Sequence, residues 1–288
     1  MILTEHAYAK LNLSLDILGK RPDGYHDLCM VMQSIDLHDT LTLTERPKGE
    51  LEVCTTLSYL PRDESNIAVK ALRRFTEATG LTLPGFSLAI EKRIPVCAGM
   101  AGGSSDGAAV LRVLGRAYAP QLPGACLERI GSAVGSDVPF CVRGGTALAE
   151  GRGERLTDLA ALPPCCFVVC KPPLSVSTPE LFAQVRLRQL RCHPDTAGIV
   201  RALEEGDLEG VARRLYNVFE DVLPRRYAQV FEIKSQLLEL GAMAASMTGS
   251  GPTVFGLFRE RSRAEDALAV LAGQFSSVFL CQSVEKSV

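Results

Sequence analysis

Apolar and polar positions alternate through the first part of the chain. Leu11, Leu13, Leu15 and Ile17 are set against Asn12, Ser14 and Asp16. This period of two predicts a half-buried strand over residues 7–18. Arg21-Pro-Asp-Gly24 marks a turn, because proline presets φ and glycine accepts a positive one. More strand is predicted over residues 26–43 and 51–56. After Ser65-Asn66 the period becomes helical, with Ile67, Ala68, Ala71, Leu72 and Phe75 on one side and Gly80 as the stop. Residues 86–90 read as a short strand. Val110, Leu111, Leu114 and Tyr118 then recur at helical spacing through residues 108–118. Ser104 or Ser105 suits the N-cap of that helix, and Asp106 its first turn.

Residues 126–134 predict a short helix ending near Gly135. Residues 136–139 read as a loop, since Pro139 disfavours helix in the residue before it. Residues 146–150 and 154–159 flank Gly151-Arg-Gly153 as a hairpin. Leu162-Pro-Pro164 reads as a linker between one unit over residues 1–161 and another over 165–288. The second half opens on a buried strand, Cys166-Phe-Val-Val-Cys170. A capping box follows in Ser177-Thr-Pro-Glu180. Helical patterns cover residues 196–203, 208–216, 225–240 and 263–272. Two strands flank Thr248-Gly-Ser-Gly-Pro252, and a last strand covers 278–282. Strands and helices mix without regular alternation, which favours α+β over a doubly wound sheet.

Composition narrows the function. The chain has 288 residues, 47% hydrophobic and 22% charged, enough for a large core in one or two domains. A net charge of −2 gives no basic field to recruit nucleic acid or an anionic membrane. Any anionic substrate needs local positive groups. The ten cysteines include no Cys-x-x-Cys pair, and several lie in apolar runs where a thiol acts as a small hydrophobe. Glu5 and Lys10 interrupt any signal-peptide pattern, and no apolar stretch nears the roughly 20 residues of a membrane span. These features predict free thiols in a reducing cytoplasm.

The segment richest in chemistry is Pro95-Val-Cys-Ala-Gly-Met-Ala-Gly-Gly-Ser-Ser-Asp106. A glycine loop that enters a helix N-terminus offers bare N–H groups at the positive end of a dipole, where phosphate binds. No Gly-Lys-[Ser/Thr] closes it, so it is not a P-loop, and Gly-x-Gly-x-x-Gly is absent. The plainer reading is a tight turn before a buried helix.

This loop, together with Ala9-Lys-Leu-Asn-Leu-Ser-Leu-Asp-Ile-Leu-Gly-Lys-Arg-Pro-Asp-Gly-Tyr-His26 and Met247-Thr-Gly-Ser-Gly-Pro-Thr-Val-Phe255, resembles the GHMP kinase superfamily. Lys10-Leu-Asn12, Arg21-Pro-Asp-Gly-Tyr-His26 and Gly135-Ser-Asp-Val-Pro-Phe140 are similar to the branch that phosphorylates a cytidyl-diphospho-methylerythritol in non-mevalonate isoprenoid synthesis. The resemblance implies a two-domain α+β GHMP kinase fold. Its N-terminal half would be similar to ribosomal protein S5 domain 2 and its C-terminal half ferredoxin-like, with the active site between them. It also implies ATP with Mg²⁺, and a small-molecule acceptor carrying a cytidine diphosphate. The chain departs from the family at Met100-Ala101, where a further glycine and a leucine are usual. Alanine at 101 lacks easy access to positive φ, which would weaken ATP binding if the loop needs it. Gly99, Gly102 and Gly103 remain, and the loop is expected to work.

Roles carry over position by position. Asp137 matches the proposed base, against a plainer role in capping a turn. Lys10 matches the cation beside it, against a lysine facing water at a strand end. Pro95, Val96, Cys97, Ala98, Gly99, Met100, Ala101, Gly102, Gly103, Ser104 and Ser105 match the loop that wraps the ATP phosphates, with Ser104 or Ser105 near Mg²⁺. Tyr25 and His26 match residues that meet the cytosine, and Phe182 the aromatic on its other side. The alternative for Phe182 is core packing. Asn12 is expected to hydrogen-bond the substrate, the alternative being a surface strand position. His6, His38 and His193 suggest no chemistry. Two other functions fit the same fold: a kinase acting on homoserine or mevalonate, and an inactive ligand-sensing relative. Tyr25-His26 argues against the first, and Lys10 with Asp137 against the second.

Overall fold

A computed structural model of the protein describes residues 1–286. Two long strands, β1 (Ile2–Lys20) and β2 (His26–Arg46), form an antiparallel hairpin that is the spine of the molecule. β3 (Leu51–Thr55), helix α1 (Ile67–Thr79), β4 (Gly85–Glu91), α2 (Gly102–Tyr118), α3 (Gly124–Ser132), α4 (Val138–Arg143), β5 (Thr146–Gly151) and β6 (Arg155–Asp158) follow. The first sheet runs β3-β4-β2-β1, and β5 pairs with both β2 and β6. Helices α1 and α2 cover it. Asn66 caps α1 by accepting from the Ala68 N–H at 2.9 Å, and Gly80 ends it with φ 65°, as the sequence predicts.

The second half comprises β7 (Cys166–Cys170), α5 (Thr178–Gln184), α6 (Thr196–Glu204), α7 (Leu208–Ala212), β8 (Tyr216–Asn217), α8 (Ala228–Glu239), β9 (Ala244–Met247), β10 (Val254–Phe258), α9 (Arg261–Ala272) and β11 (Val278–Gln282). Its antiparallel sheet has the order β11-β7-β10-β9, the arrangement of a ferredoxin-like unit. Every residue of β7 and β10 is buried. The architecture is α+β. The short β8 leaves this half to pair in parallel with Ser14 and Leu15 of β1, which extends the first sheet by one strand.

Four local expectations change. The stretch over residues 9–17 is buried on both faces rather than half-buried. Register shifts of the β-bulge kind at Tyr8/Ala9 and Asn12/Ser14 exchange the faces. Ala9, Leu11 and Leu13 therefore join one core and Leu15 and Ile17 the other. Helix α2 starts six residues earlier than its apolar period implies, and Ala101, not Ser104 or Ser105, stands at its N-cap. Residues 138–143 form α4, not a continued loop. Pro139 lies in the first turn, where a helix has no use for its missing N–H. Finally, the helix expected over 208–216 stops at Ala212, because Tyr216 is drawn into the first sheet.

Candidate active site

The glycine loop is built on an interlock with the turn after β9. Gly99 (φ 74°) and Gly249 (φ 58°) approach so closely that a Cβ on Gly99 would overlap the Thr248 carbonyl oxygen, and one on Gly249 would lie 2.7 Å from the Gly99 oxygen. Asn217 holds the turn by donating to the Met247 and Gly249 carbonyls at 2.8 and 2.9 Å. Among the described residues, the two non-glycine residues with positive φ, Cys97 (53°) and Ala101 (59°), lie in this loop. The loop thus does adopt a left-handed conformation at Ala101. Such strain persists where the surroundings over-determine it.

A cavity of about 530 Å³ opens on the loop, lined by Pro95 to Gly99, by Ala101 to Ser104, and by Lys92 and Asp106. The first N–H groups of α2, which no helix can satisfy internally, lie along it. Two loop positions turn elsewhere. Met100 is buried in the core beneath, and the Ser105 hydroxyl donates to the Tyr8 carbonyl at 2.6 Å.

A second cavity, of about 750 Å³, is lined by Tyr25, His26, Asp137, Arg152, Phe182 and Ser104, among others. Ser104 and Thr178 line both cavities, so the two meet there. Thr178 comes from the start of α5 and shares a 2.6 Å hydrogen bond with Ser250 of the β9–β10 turn. At the N-cap of α4, Asp137 makes no side-chain capping bond. The turn-capping alternative therefore does not account for it.

Beneath this junction Lys10 is buried, and its ammonium donates to Asn12 Oδ1 at 2.5 Å. Burial lowers the Lys10 pKa, and the charge of Asp137 opposes that shift. Asn12 is no surface residue. Its Oδ1 also accepts from the Gly249 N–H at 3.0 Å, and its own N–H donates to Thr248 Oγ1 at 3.0 Å. The bulge at Asn12/Ser14 follows this polar pair and shifts the alternation, so that Leu15 and Ile17 join a different core from Leu11 and Leu13.

Around the second cavity, Tyr25 is 54% exposed and its ring lies under the Arg152 guanidinium at 5.0 Å. His26 stacks directly on Phe182, with ring centroids 4.8 Å apart and planes 20° from parallel. Phe182 also meets Phe219 edge-on at 4.9 Å, so it packs and lines the cavity at once. Burial, then the charge of Lys20, lowers the His26 pKa, leaving a neutral ring with one donor and one acceptor. His6 and His38 contact each other away from both cavities. His193 holds Asp16 through Nδ1 at 2.8 Å.

Sequence reasoning missed Lys92, Asp106, Asp39, Thr178 and Arg152. Lys92 had a legible signal, a lysine at the end of a strand directly before the glycine loop. The others depend on contacts between distant segments.

The chain is similar to known proteins throughout its length. The family models described as GHMP kinases N terminal domain and GHMP kinases C terminal match residues 66–145 and 199–277. A 4-diphosphocytidyl-2-C-methyl-D-erythritol kinase of Alkaliphilus metalliredigens is 43% identical over 278 residues, 96% of this chain and 95% of that one. Another from Bacillus velezensis is 43% identical over 284 residues, 99% and 98% of the two chains. A crystal structure of a 4-(cytidine 5'-diphospho)-2C-methyl-D-erythritol kinase superposes with a TM-score of 0.82 at 32% identity, covering 98% of this chain and 99% of that one. A homoserine kinase from Cytophaga hutchinsonii shares the fold, with a TM-score of 0.76 at 18% identity over 99% and 95% of the two chains.

Proposed function

The chain belongs to the GHMP kinase family, among the 4-diphosphocytidyl-2-C-methyl-D-erythritol kinases, and from that premise we propose how its two joined cavities perform the reaction. The protein is an ATP-dependent small-molecule kinase. It transfers the γ-phosphoryl of ATP to the 2-hydroxyl of the cytidyl-diphospho-methylerythritol, in the route to isoprenoid precursors. One observation supports this division of labour best: an uncapped Asp137 carboxylate lies in an aromatic-lined cavity that meets the glycine-loop cavity at Ser104.

In this reading the N–H groups at the start of α2 and the loop from Pro95 to Ser104 hold the triphosphate. Phosphoryl transfer needs alignment and charge stabilisation more than covalent chemistry. Asp137 accepts the proton of the 2-hydroxyl as its oxygen bonds to the γ-phosphorus. The bond from phosphorus to the β,γ-bridging oxygen breaks, and ADP leaves with that electron pair. Lys10, fixed by Asn12, lends positive charge to the attacking oxygen. The Ser104 hydroxyl and an unsatisfied carboxylate oxygen of Asp106 fit a hard cation such as Mg²⁺ at the cavity wall. When bound, that ion would neutralise charge on the phosphate oxygens.

The cytosine is read by its polar edge and by its faces. His26, neutral, offers one donor and one acceptor. Tyr25 and Phe182 offer faces, the base entering beside the ring that His26 now stacks on. Partners of this reading are small molecules, with neither nucleic acid nor membrane among them. Among the described residues no helix is long and apolar enough to cross a membrane. All ten cysteines are free thiols, in keeping with a cytoplasmic enzyme.

Thermal unfolding with ligands tests the two-cavity reading. A ligand at about 100 times its Kd stabilises the native state by about 2.7 kcal/mol. Cytidine diphosphate should therefore raise the Tm beyond the shift given by saturating ATP. A Tm unmoved by cytidine nucleotides would contradict the cytosine pocket.

A further inference from the structure

Under the glycine loop, Asp39, Lys92 and Asp106 meet in a cluster whose charges do not balance. Lys92 follows β4, Asp39 belongs to β2, and Asp106 stands in the first part of α2. The Lys92 ammonium donates to Asp39 Oδ2 and, at 2.6 Å, to Asp106 Oδ2. Asp39 is wholly buried and fully used, because its Oδ1 also accepts the N–H groups of Arg93 at 2.5 Å and Ile94 at 2.8 Å. Asp106 is 5% exposed, and its Oδ1 has no hydrogen-bond partner.

Two carboxylates thus share one ammonium. With both ionised, the cluster holds one negative charge in excess, and the excess falls on the oxygen that nothing satisfies. A buried charge without a partner is costly. A cluster meant only to hold strands together has no need of the second acid, since Lys92 and Asp39 already form a neutral, satisfied pair. Asp106 and Lys92 both line the glycine-loop cavity, beside Ser104 and the open N–H groups. A bare carboxylate there would repel a polyphosphate unless a cation stood between them. Mg²⁺ in nucleotide sites takes one or two carboxylates together with phosphate and water oxygens.

We propose that Asp106 Oδ1 is a protein ligand of the divalent cation that enters with the nucleotide. Asp39 and Lys92 are positioning residues. Asp39 fixes the start of the loop through two N–H groups, and Lys92 holds the Asp106 carboxylate by its other oxygen. This rests on the reading of the glycine-loop cavity as the nucleotide site.

The test uses the full chain with Mn²⁺ as the probe. Electron paramagnetic resonance counts free Mn²⁺ in the presence of ADP, and calorimetry in EDTA measures metal-free ADP binding. For Asp106→Asn the ternary Mn²⁺ affinity should fall at least tenfold, while metal-free ADP binds as tightly as before or more so. Asp106→Ala, read in the same way, should give the same split and stands in if the asparagine variant does not fold. Unchanged Mn²⁺ affinity in the ADP complex would overturn the metal assignment alone. Equal loss of ADP binding in EDTA would overturn it too, by making Asp106 a structural part of the loop. Failure of the unmodified protein to bind ADP at all would instead overturn the nucleotide reading beneath it.

Discussion

At Asp137 an acidic side chain stands where it could cap a helix and does not. A carboxylate left out of local structure, beside a buried lysine whose burial-lowered pKa its charge opposes, is available to take a proton. Asp137→Asn should keep the fold and the affinity for ATP while lowering kcat by roughly 10²–10⁴, the usual worth of general-base help. Turnover that survives the change would remove Asp137 from that role. Tyr25 is the other residue whose part can be isolated, because its exposed ring touches little of the core. Tyr25→Ala should raise KM for the cytidyl substrate about tenfold or more, as stacking on a base is worth about 1–3 kcal/mol, and leave KM for ATP alone. Parallel rises in both would make it structural. Lys10, Asn12, Tyr25, His26 and Asp137 were legible because each lies in a short motif. Asp106 was read only as a helix-start acid, since its partners Lys92 and Asp39 come from separate strands. Spacing along the chain carries no trace of that meeting.

Two elements carry the site, and each is shaped by a local break in a regular pattern. In β1, bulges change which face the alternating leucines reach, so Lys10 and Asn12 come to lie below the loop. Alternation alone predicted one face throughout, because a bulge adds no signal to the apolar pattern. The glycine loop and the β9–β10 turn form the second element. Both motifs were visible, but their interlock was not. Gly249→Ala places a Cβ 2.7 Å from the Gly99 oxygen and 3.2 Å from Lys10 Nζ, at a φ of 58°. The expected cost is about 1–3 kcal/mol of stability, read from urea unfolding, together with a raised KM for ATP. Full stability with unaltered kinetics would show that the two loops do not depend on each other. The early start of α2 has the same origin. Gly102 to Ser105 lack the apolar spacing of a helix, and what makes them helical is the left-handed turn at Ala101 and the packing above β1.

Across the whole molecule, the α+β class followed from the irregular mixing of strands and helices, and the ferredoxin-like second sheet from the GHMP kinase resemblance that the order of motifs carries. The crossing of β8 into the first sheet did not, because two residues of strand leave no period to read. That crossing matters to the site. Asn217 of β8 holds the Thr248 turn from below, while Thr178 and Ser250 bridge above it. The glycine-loop cavity therefore draws on both halves, and the aromatic cavity joins it at Ser104 and Thr178. The central claim is that these joined cavities transfer a phosphoryl group to an acceptor chosen by its cytosine. It is tested most directly by ADP release from the purified protein with Mg²⁺-ATP, comparing the cytidyl-diphospho-methylerythritol with homoserine and mevalonate. Turnover with the cytidyl acceptor alone is the predicted result. Turnover with homoserine or mevalonate alone would keep the kinase fold and contradict the cytosine pocket, and no turnover with any acceptor, despite ATP binding, would contradict the kinase reading itself.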